Sequence, residues 1–349
     1  MISNRYAGRY TGRGFRAAAA LVLLGPVVVA CTEVKDALDG ANDGMSGALT
    51  SDGTPAASSE QAALVDTAAL NALYDEGLSL RQGGAEDEAI IRFKEAAERG
   101  HGPAAFELGE AYNQGRGVDQ DLSAGAKWIN AAAARGEPRA QYVVGAAYYN
   151  GDDVEQDFVR AAGYLENAAD QNYAPAQFLL AECYANGRGV TKNLAWAARW
   201  YGKAAEQGHL DGAFSYGVIQ AAGLGLPTNL PAGYGWLSIA EQKGHANAKD
   251  IRAAIANNMS ARELEVGKAR AAAFEPQSDQ VFADKPTVMF VQHSLNQLGF
   301  NAGSVDGLPG PRTRGAIDAY QKSVGLGDSD PEITPELLQR LFESQQNTA

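Results

Sequence analysis

The chain is poor in reactive side chains, with two cysteines and four histidines in 349 residues. So few cysteines exclude a fold built on a disulfide framework. No H-E-x-x-H, G-x-S-x-G or G-x-x-x-x-G-K sequence occurs, and neither cysteine forms an evident pair with a histidine. The signatures of a zinc protease, a serine hydrolase and a phosphate-binding loop are therefore missing. Basic residues are outnumbered by acidic ones, 29 to 42, an imbalance that argues against nucleic acid as a partner. Long apolar runs are missing too. The uncharged, apolar stretch near the N-terminus, residues 17–30, spans only about 21 Å as a helix, short of the roughly 30 Å hydrocarbon core. Pro26 interrupts it as well.

What is present is repetition. Four blocks of 36 residues, starting at Gly102, Pro138, Ala174 and Leu210, align without a gap. In a first helix, Ala104, Ala140, Ala176 and Gly212, then Gly109, Gly145, Ala181 and Gly217, form a face of small residues. In a second helix Trp128, Tyr164, Trp200 and Trp236 share one column, which predicts one large aromatic per block filling the space that small neighbours leave. Gly115, Gly151, Gly187 and Gly223 are placed to end the first helix in a left-handed turn. Val118, Val154, Val190 and Leu226 put an apolar anchor in each loop, and Asp121, Asp157, Asn193 and Asn229 stand at the N-cap of the second helix. The pattern A-x-x-x-L-G-x-x-Y-x-x-G-R-G-V-x-x-D, followed by the aromatic and A-A-x-x-G, resembles the Sel-one-like repeat, a relative of the tetratricopeptide repeat. The resemblance implies a right-handed α-solenoid of helix-turn-helix repeats, a scaffold that binds rather than reacts.

Residues 67–100 read as one further helix pair, and Ala246–Ile255 closes the array. Ser260-x-x-Glu263 is a capping box opening a helix to about Phe274, so the solenoid is expected over 66–275. His101, His209 and His245 fall in one repeat column, which suits repeat boundaries better than metal ligands; no cofactor or metal is expected. Cys183 occupies a column of small core residues. The column Phe106, Tyr142, Phe178 and Phe214 recurs in every block and reads as packing. Positions where one block departs from the others, Asp152, Asp153 and Gln220, are the candidates for contact with a protein partner.

At the N-terminus, Arg5, Arg9, Arg13 and Arg16 precede the apolar stretch and Val28-Val29-Ala30-Cys31 ends it, the layout of a secretory signal over 1–30. The last four residues resemble the lipobox of bacterial lipoproteins, which implies acylation of Cys31, a membrane anchor and, with Thr32 following, the outer membrane facing the periplasm. Loss of residues 1–30 would leave 25 basic against 42 acidic residues, a net charge of −17 instead of −13. Residues 31–65, rich in small and polar residues, are expected to form a disordered tether.

After a polar linker at 276–285, V-x-x-x-Q-x-x-L-x-x-L-G-F and then D-G-x-x-G-x-x-T-x-x-A-I-x-x-Y-Q, from Val288 to Gln321, resemble the peptidoglycan-binding domain attached to many cell-wall hydrolases. Residues 286–345 are expected to form a small three-helix bundle with apolar stripes at Val288/Leu295/Leu298, Ala316/Ile317/Tyr320 and Leu337/Leu338/Leu341. Gln292, Asp306, Arg312, Tyr320 and Gln321 are its candidate glycan or stem-peptide contacts. The whole chain is expected to be all-α, a non-enzymatic envelope scaffold that holds peptidoglycan and an unidentified envelope protein. A regulator or auxiliary subunit of a cell-wall hydrolase or synthase is the alternative, and a hydrolase the third reading.

Overall fold

The computed structural model describes residues 57–276, 284–326 and 331–346. The expected signal, Cys31 and most of the tether lie outside the described residues, as does most of the linker. All regular structure among the described residues is helical, so the expected all-α class holds. The chain divides into two compact units between Gln171 and Asn172.

The first unit holds α1 (Ala57–Gln82), α2 (Glu86–Glu98), α3 (Gly102–Gln114), α4 (Leu122–Ala134), α5 (Pro138–Asn150) and α6 (Phe158–Asp170). Helix α1 begins ahead of residue 65, where the tether is expected to end. The second unit holds α7 (Ala174–Asn186), α8 (Leu194–Glu206), α9 (Leu210–Ala222), α10 (Leu230–Gln242), α11 (Ala248–Ala256) and α12 (Ala261–Ala272), then α13 (Lys285–Gln297), α14 (Pro311–Ser323) and α15 (Pro335–Gln346). Helices α3 to α10 are the four repeats, each an antiparallel pair.

Local chemistry sets many of the boundaries. Asp121, Asp157, Asn193 and Asn229 each accept a backbone N–H in the first turn of α4, α6, α8 and α10, and the four glycines after α3, α5, α7 and α9 are left-handed. The histidine column has the same use. His101 and His209 accept the N–H of Ala104 and Gly212 through Nδ1, capping α3 and α9. His209 also stacks on Phe178 and His245 on Phe214, with centroids 4.9 and 3.9 Å apart, which places Phe178 and Phe214 in the packing. The capping box at Ser260 and Glu263 is formed.

The aromatic column is a correction. The residues that fill the gap left by the small face are one position later: Ile129, Leu165, Tyr201 and Leu237, all at most 6% exposed. A Cβ on Gly109, Gly145 or Gly217 would lie 2.7, 3.0 or 2.9 Å from Ile129, Leu165 or Leu237. One helical position is a 100° turn, so the neighbouring column of Trp128, Tyr164, Trp200 and Trp236 points away from the helix pair. Trp128 and Tyr164 stay half-buried. Trp200 and Trp236 are 2% exposed because further elements cover them: Phe274 packs edge-on against Trp236, 5.2 Å between centroids.

Within the first unit, Glu107 joins three helices. Its carboxylate meets Arg81 at 2.5 Å and Arg139 at 2.6 Å. Burial pushes its pKa up, but hydrogen bonds from the two guanidinium groups outweigh that and hold it below its ordinary value of 4.5. Replacing Glu107→Ala is expected to cost about 2 kcal/mol, between the worth of an exposed pair and a buried one. Because the folded-state pKa is depressed, this stabilisation is present above pH 4.5 and lost as pH falls through the lowered value. Thermal melts from pH 7 to 3 should therefore show the wild-type advantage over Glu107→Ala shrinking at the acid end.

Candidate functional site

The C-terminal helices α13, α14 and α15 are organised around one amide. Gln292, 1% exposed, donates to Asp306 Oδ1, Leu308 O and Thr313 Oγ1 at 3.0–3.1 Å. It accepts the N–H groups of Asp306 and Gly307 at 3.0 and 2.9 Å. The side chain of Asp306 turns back to accept from Leu308 N, and these bonds hold its carboxyl below the usual range. Thr313 Oγ1 donates to Ala302 O. The loop 303–310 is thereby fixed against α13. The approach is close enough that no side chain fits at Gly307, where a Cβ would lie 2.4 Å from Lys285 Cγ. The exposed residues of the loop are Ser304, Asp306, Leu308 and Pro309, joined in the first turn of α14 by Pro311, Arg312 and Arg314.

Residues 102–137, 138–173, 174–209 and 210–245 each match the Sel1 repeat. This chain carries four Sel1 repeats. Residues 284–341 match the putative peptidoglycan binding domain. Among solved structures, a Sel1 repeat protein from Oxalobacter formigenes is 32% identical over 47% of this chain and 48% of its own, with a TM-score of 0.44. A protective antigen of uropathogenic Escherichia coli displaying an SLR fold is 22% identical over 85% of this chain and 65% of its own, at a TM-score of 0.45. The chain thus spans less than two thirds of either relative. No curated protein matches it.

Sel1 repeats and peptidoglycan-binding domains are typically non-catalytic binding modules. Among the described residues no group of three His, Cys, Asp or Glu side chains is placed to hold a metal. Cys183 is fully buried, and burial pushes its thiol up to about 12, which keeps it unreactive at neutral pH. No described helix is long and apolar enough to cross a membrane.

In the second unit the peptidoglycan-binding domain is packed onto the third Sel1 repeat. On α8, Trp196 meets Phe290 of α13 and Phe342 of α15, centroids 4.6 and 5.1 Å apart, and Tyr184 of α7 meets Phe342 edge-on. One turn along, Arg199 Nε donates to Thr287 Oγ1 at 3.0 Å. A further turn brings Lys203 Nζ to 2.6 Å from Asp284 Oδ2, both side chains 8% exposed. Asn193 Nδ2, whose own Oδ1 caps α8, donates to Gln345 Oε1. Close approach is allowed by Gly202, where a Cβ would lie 2.6 Å from Pro286. Trp200 lies beneath this contact, with the Arg199 guanidinium 4.3 Å from its ring.

The structure separates the sequence candidates. Of the five glycan candidates, Asp306 on the loop and Arg312 in the adjoining first turn of α14 are exposed. Gln292 is a correction, since all its polar capacity is spent inside the domain. So are Tyr320 and Gln321, each 2% exposed. Tyr320 packs edge-on against Phe300 and bonds Ser344 through its hydroxyl at 2.8 Å, so neither side chain can face a ligand. In the repeats, Gln220 is 1% exposed and is withdrawn as a contact for a partner. Its column is a backbone position: Asn229 N donates to Gln220 O as Asn193 N does to Tyr184 O, which any side chain permits. Asp153 takes φ 59 where Gly117, Gly189 and Gly225 are also left-handed, so it keeps the loop geometry rather than changing it. Asp152 accepts from Asn150 within the same loop. Sequence reasoning missed Leu308, a large apolar side chain 65% exposed between Asp306 and Arg312.

Proposed function

We propose that this protein is a non-enzymatic adaptor of the bacterial cell envelope, holding peptidoglycan through its C-terminal domain and a protein through its Sel1 repeats. The reading is carried by one observation: a chain with a peptidoglycan-binding domain and four Sel1 repeats commits the domain's α13 face to the third repeat, yet leaves the loop with Asp306, Leu308 and Arg312 open. An apolar side chain flanked by an acid and a guanidinium suits a glycan strand bearing carboxylated peptides. The domain match supports the envelope as location. Export on residues 1–30, acylation of Cys31 and anchoring at the outer membrane extend the same reading.

The test is sedimentation of the mature chain, with Cys31→Ser, on purified sacculi. Retention is expected, and Arg312→Glu with Leu308→Ser should weaken it about tenfold, the size of a contact hot spot, without altering the melt. Soluble muropeptides should not appear. No retention of the parent protein, or muropeptide release by it, would overturn the proposal.

A further inference from the structure

The α8 surface that holds the C-terminal domain has a counterpart on α4 that remains open among the described residues. Subtracting two periods, 72 residues, from Asn193, Ala195, Trp196, Arg199, Trp200 and Lys203 of α8 gives Asp121, Ser123, Ala124, Lys127, Trp128 and Ala131 of α4. Those six residues line a pocket of about 340 Å³ on the first unit. On α8 this surface is covered and Trp200 is 2% exposed. On α4, Trp128 is half-buried, and Lys127 is exposed with no ion pair among the described residues. The third repeat supplies a knob, Trp196, to a receiving helix. The first repeat has Ala124 at that place and Ala131 in place of Lys203, and so presents a hole. Along the same face of the next repeat, Tyr164 is half-buried and Val159 is 70% exposed.

We propose that the α4 face of the first repeat receives an amphipathic helix of a protein partner. The helix places a large apolar side chain over Trp128, between Ala124 and Ala131, and a carboxylate beside Lys127. The inference rests on the reading of the repeats as the protein-binding part and names the position and the chemistry. A helix is favoured over a glycan because the register-equivalent surface already holds one: α13 brings Phe290 against Trp196 and Asp284 against Lys203. The cation one position before the tryptophan is kept, Arg199 on α8 and Lys127 on α4. Helix-in-groove recognition needs such an apolar anchor and a flanking charge at helical spacing.

The probe is a helix-constrained, fluorescent peptide of this chain's own residues 284–298, titrated into the full mature chain with Cys31→Ser. Anisotropy should report saturable binding. Trp128→Ala and Lys127→Glu should each weaken it about tenfold, as anchor residues do. Ala124→Trp, which fills the hole as Trp196 does and removes nothing, should block it; a peptide with Phe290→Ala should bind correspondingly less, and one with Thr287→Asp, which sets a carboxylate at the position that faces Arg199 on α8 and so Lys127 on α4, should bind more tightly. No saturable binding, binding indifferent to Trp128→Ala and Ala124→Trp, or displacement by glycan fragments instead of by unlabelled peptide would each overturn the proposal. Co-purification from cells separates the two readings. A partner retained by Trp128→Ala as well as by the parent chain leaves the repeats as binders and removes this site. No partner with either removes both.

Discussion

Gly225→Ala should destabilise the protein by about 2–4 kcal/mol, the sum of a left-handed backbone cost and an overpacked contact. Two effects combine. Gly225 has φ +72, a conformation that costs a residue with a Cβ about 1 kcal/mol. The larger effect is steric, since the added Cβ would lie 2.3 Å from the carbonyl carbon of Leu194 and 2.4 Å from the nitrogen of Ala195. Those atoms are backbone in the first turn of α8, and no rotamer can relieve the clash. Moving them would displace Asn193, the cap, and Trp196, against which Phe290 and Phe342 pack. Two controls separate the effects. Gly136 is also left-handed, but a Cβ there meets nothing within 4 Å, so Gly136→Ala should cost only about 1 kcal/mol. At Gly223 the nearest atom is the Thr228 hydroxyl, a side chain that can turn away, and the cost should be intermediate. Denaturant titration of the three variants gives the ranking, and a Gly225→Ala cost no larger than that of Gly136→Ala would mean the loop lifts off α8 freely.

The repeats were legible because each boundary is written locally. A cap, a left-handed glycine and a loop anchor recur every 36 residues, and each needs only its own few neighbours to act. The phase of the second helix was harder. Trp128 and Ile129 are adjacent in sequence, both are large and apolar, and both columns recur, so periodicity alone leaves either one free to face the small residues of the first helix. Size suggested the tryptophan. The space beside Gly109 admits a branched aliphatic side chain, and the tryptophan points to the open face. The C-terminal motif was legible as a domain but not as a site, because Gln292 and Tyr320, the polar members of its pattern, bond inside the domain. The contact between that domain and the third repeat left one trace in the sequence. Trp196, Arg199, Trp200 and Lys203 form a bulky stripe along α8 at helical spacing, whereas the matching positions in the first repeat are Ala124, Lys127, Trp128 and Ala131. Only the third repeat is bulky at all four of these positions.

Asp284→Ala should cost about 3–5 kcal/mol, through charge instead of shape. Asp284 caps α13, accepting the N–H of Thr287 at 2.8 Å, and a lost cap accounts for about 1 kcal/mol. The rest comes from Lys203, whose ammonium is left buried beside the Trp200 ring, 5.9 Å from its centroid, without its carboxylate. Replacing both partners, Lys203→Met with Asp284→Asn, removes the orphaned charge and keeps a capping side chain, so the double variant should be at least 2 kcal/mol more stable than Asp284→Ala. A pH series adds an independent readout through Glu206 in the last turn of α8. Burial first, and the neighbouring Asp284 charge second, raise its carboxyl to about 7, against the lowering influence of Arg270, Lys285 and Lys203. The folded state therefore binds this proton more tightly than the unfolded one, whose value is near 4.5. The penalty for ionising Glu206 is absent below that value, grows as pH rises to about 7 and is constant above it. Removing Asp284 takes away a repelling charge and frees Lys203 to attract the carboxylate, so the loss of stability between pH 5 and pH 8 should be shallower in Asp284→Ala than in the parent. An equal slope in both proteins, with a cost below 1 kcal/mol, would mean that the aromatic contacts of Trp196 alone hold the domain to the repeat.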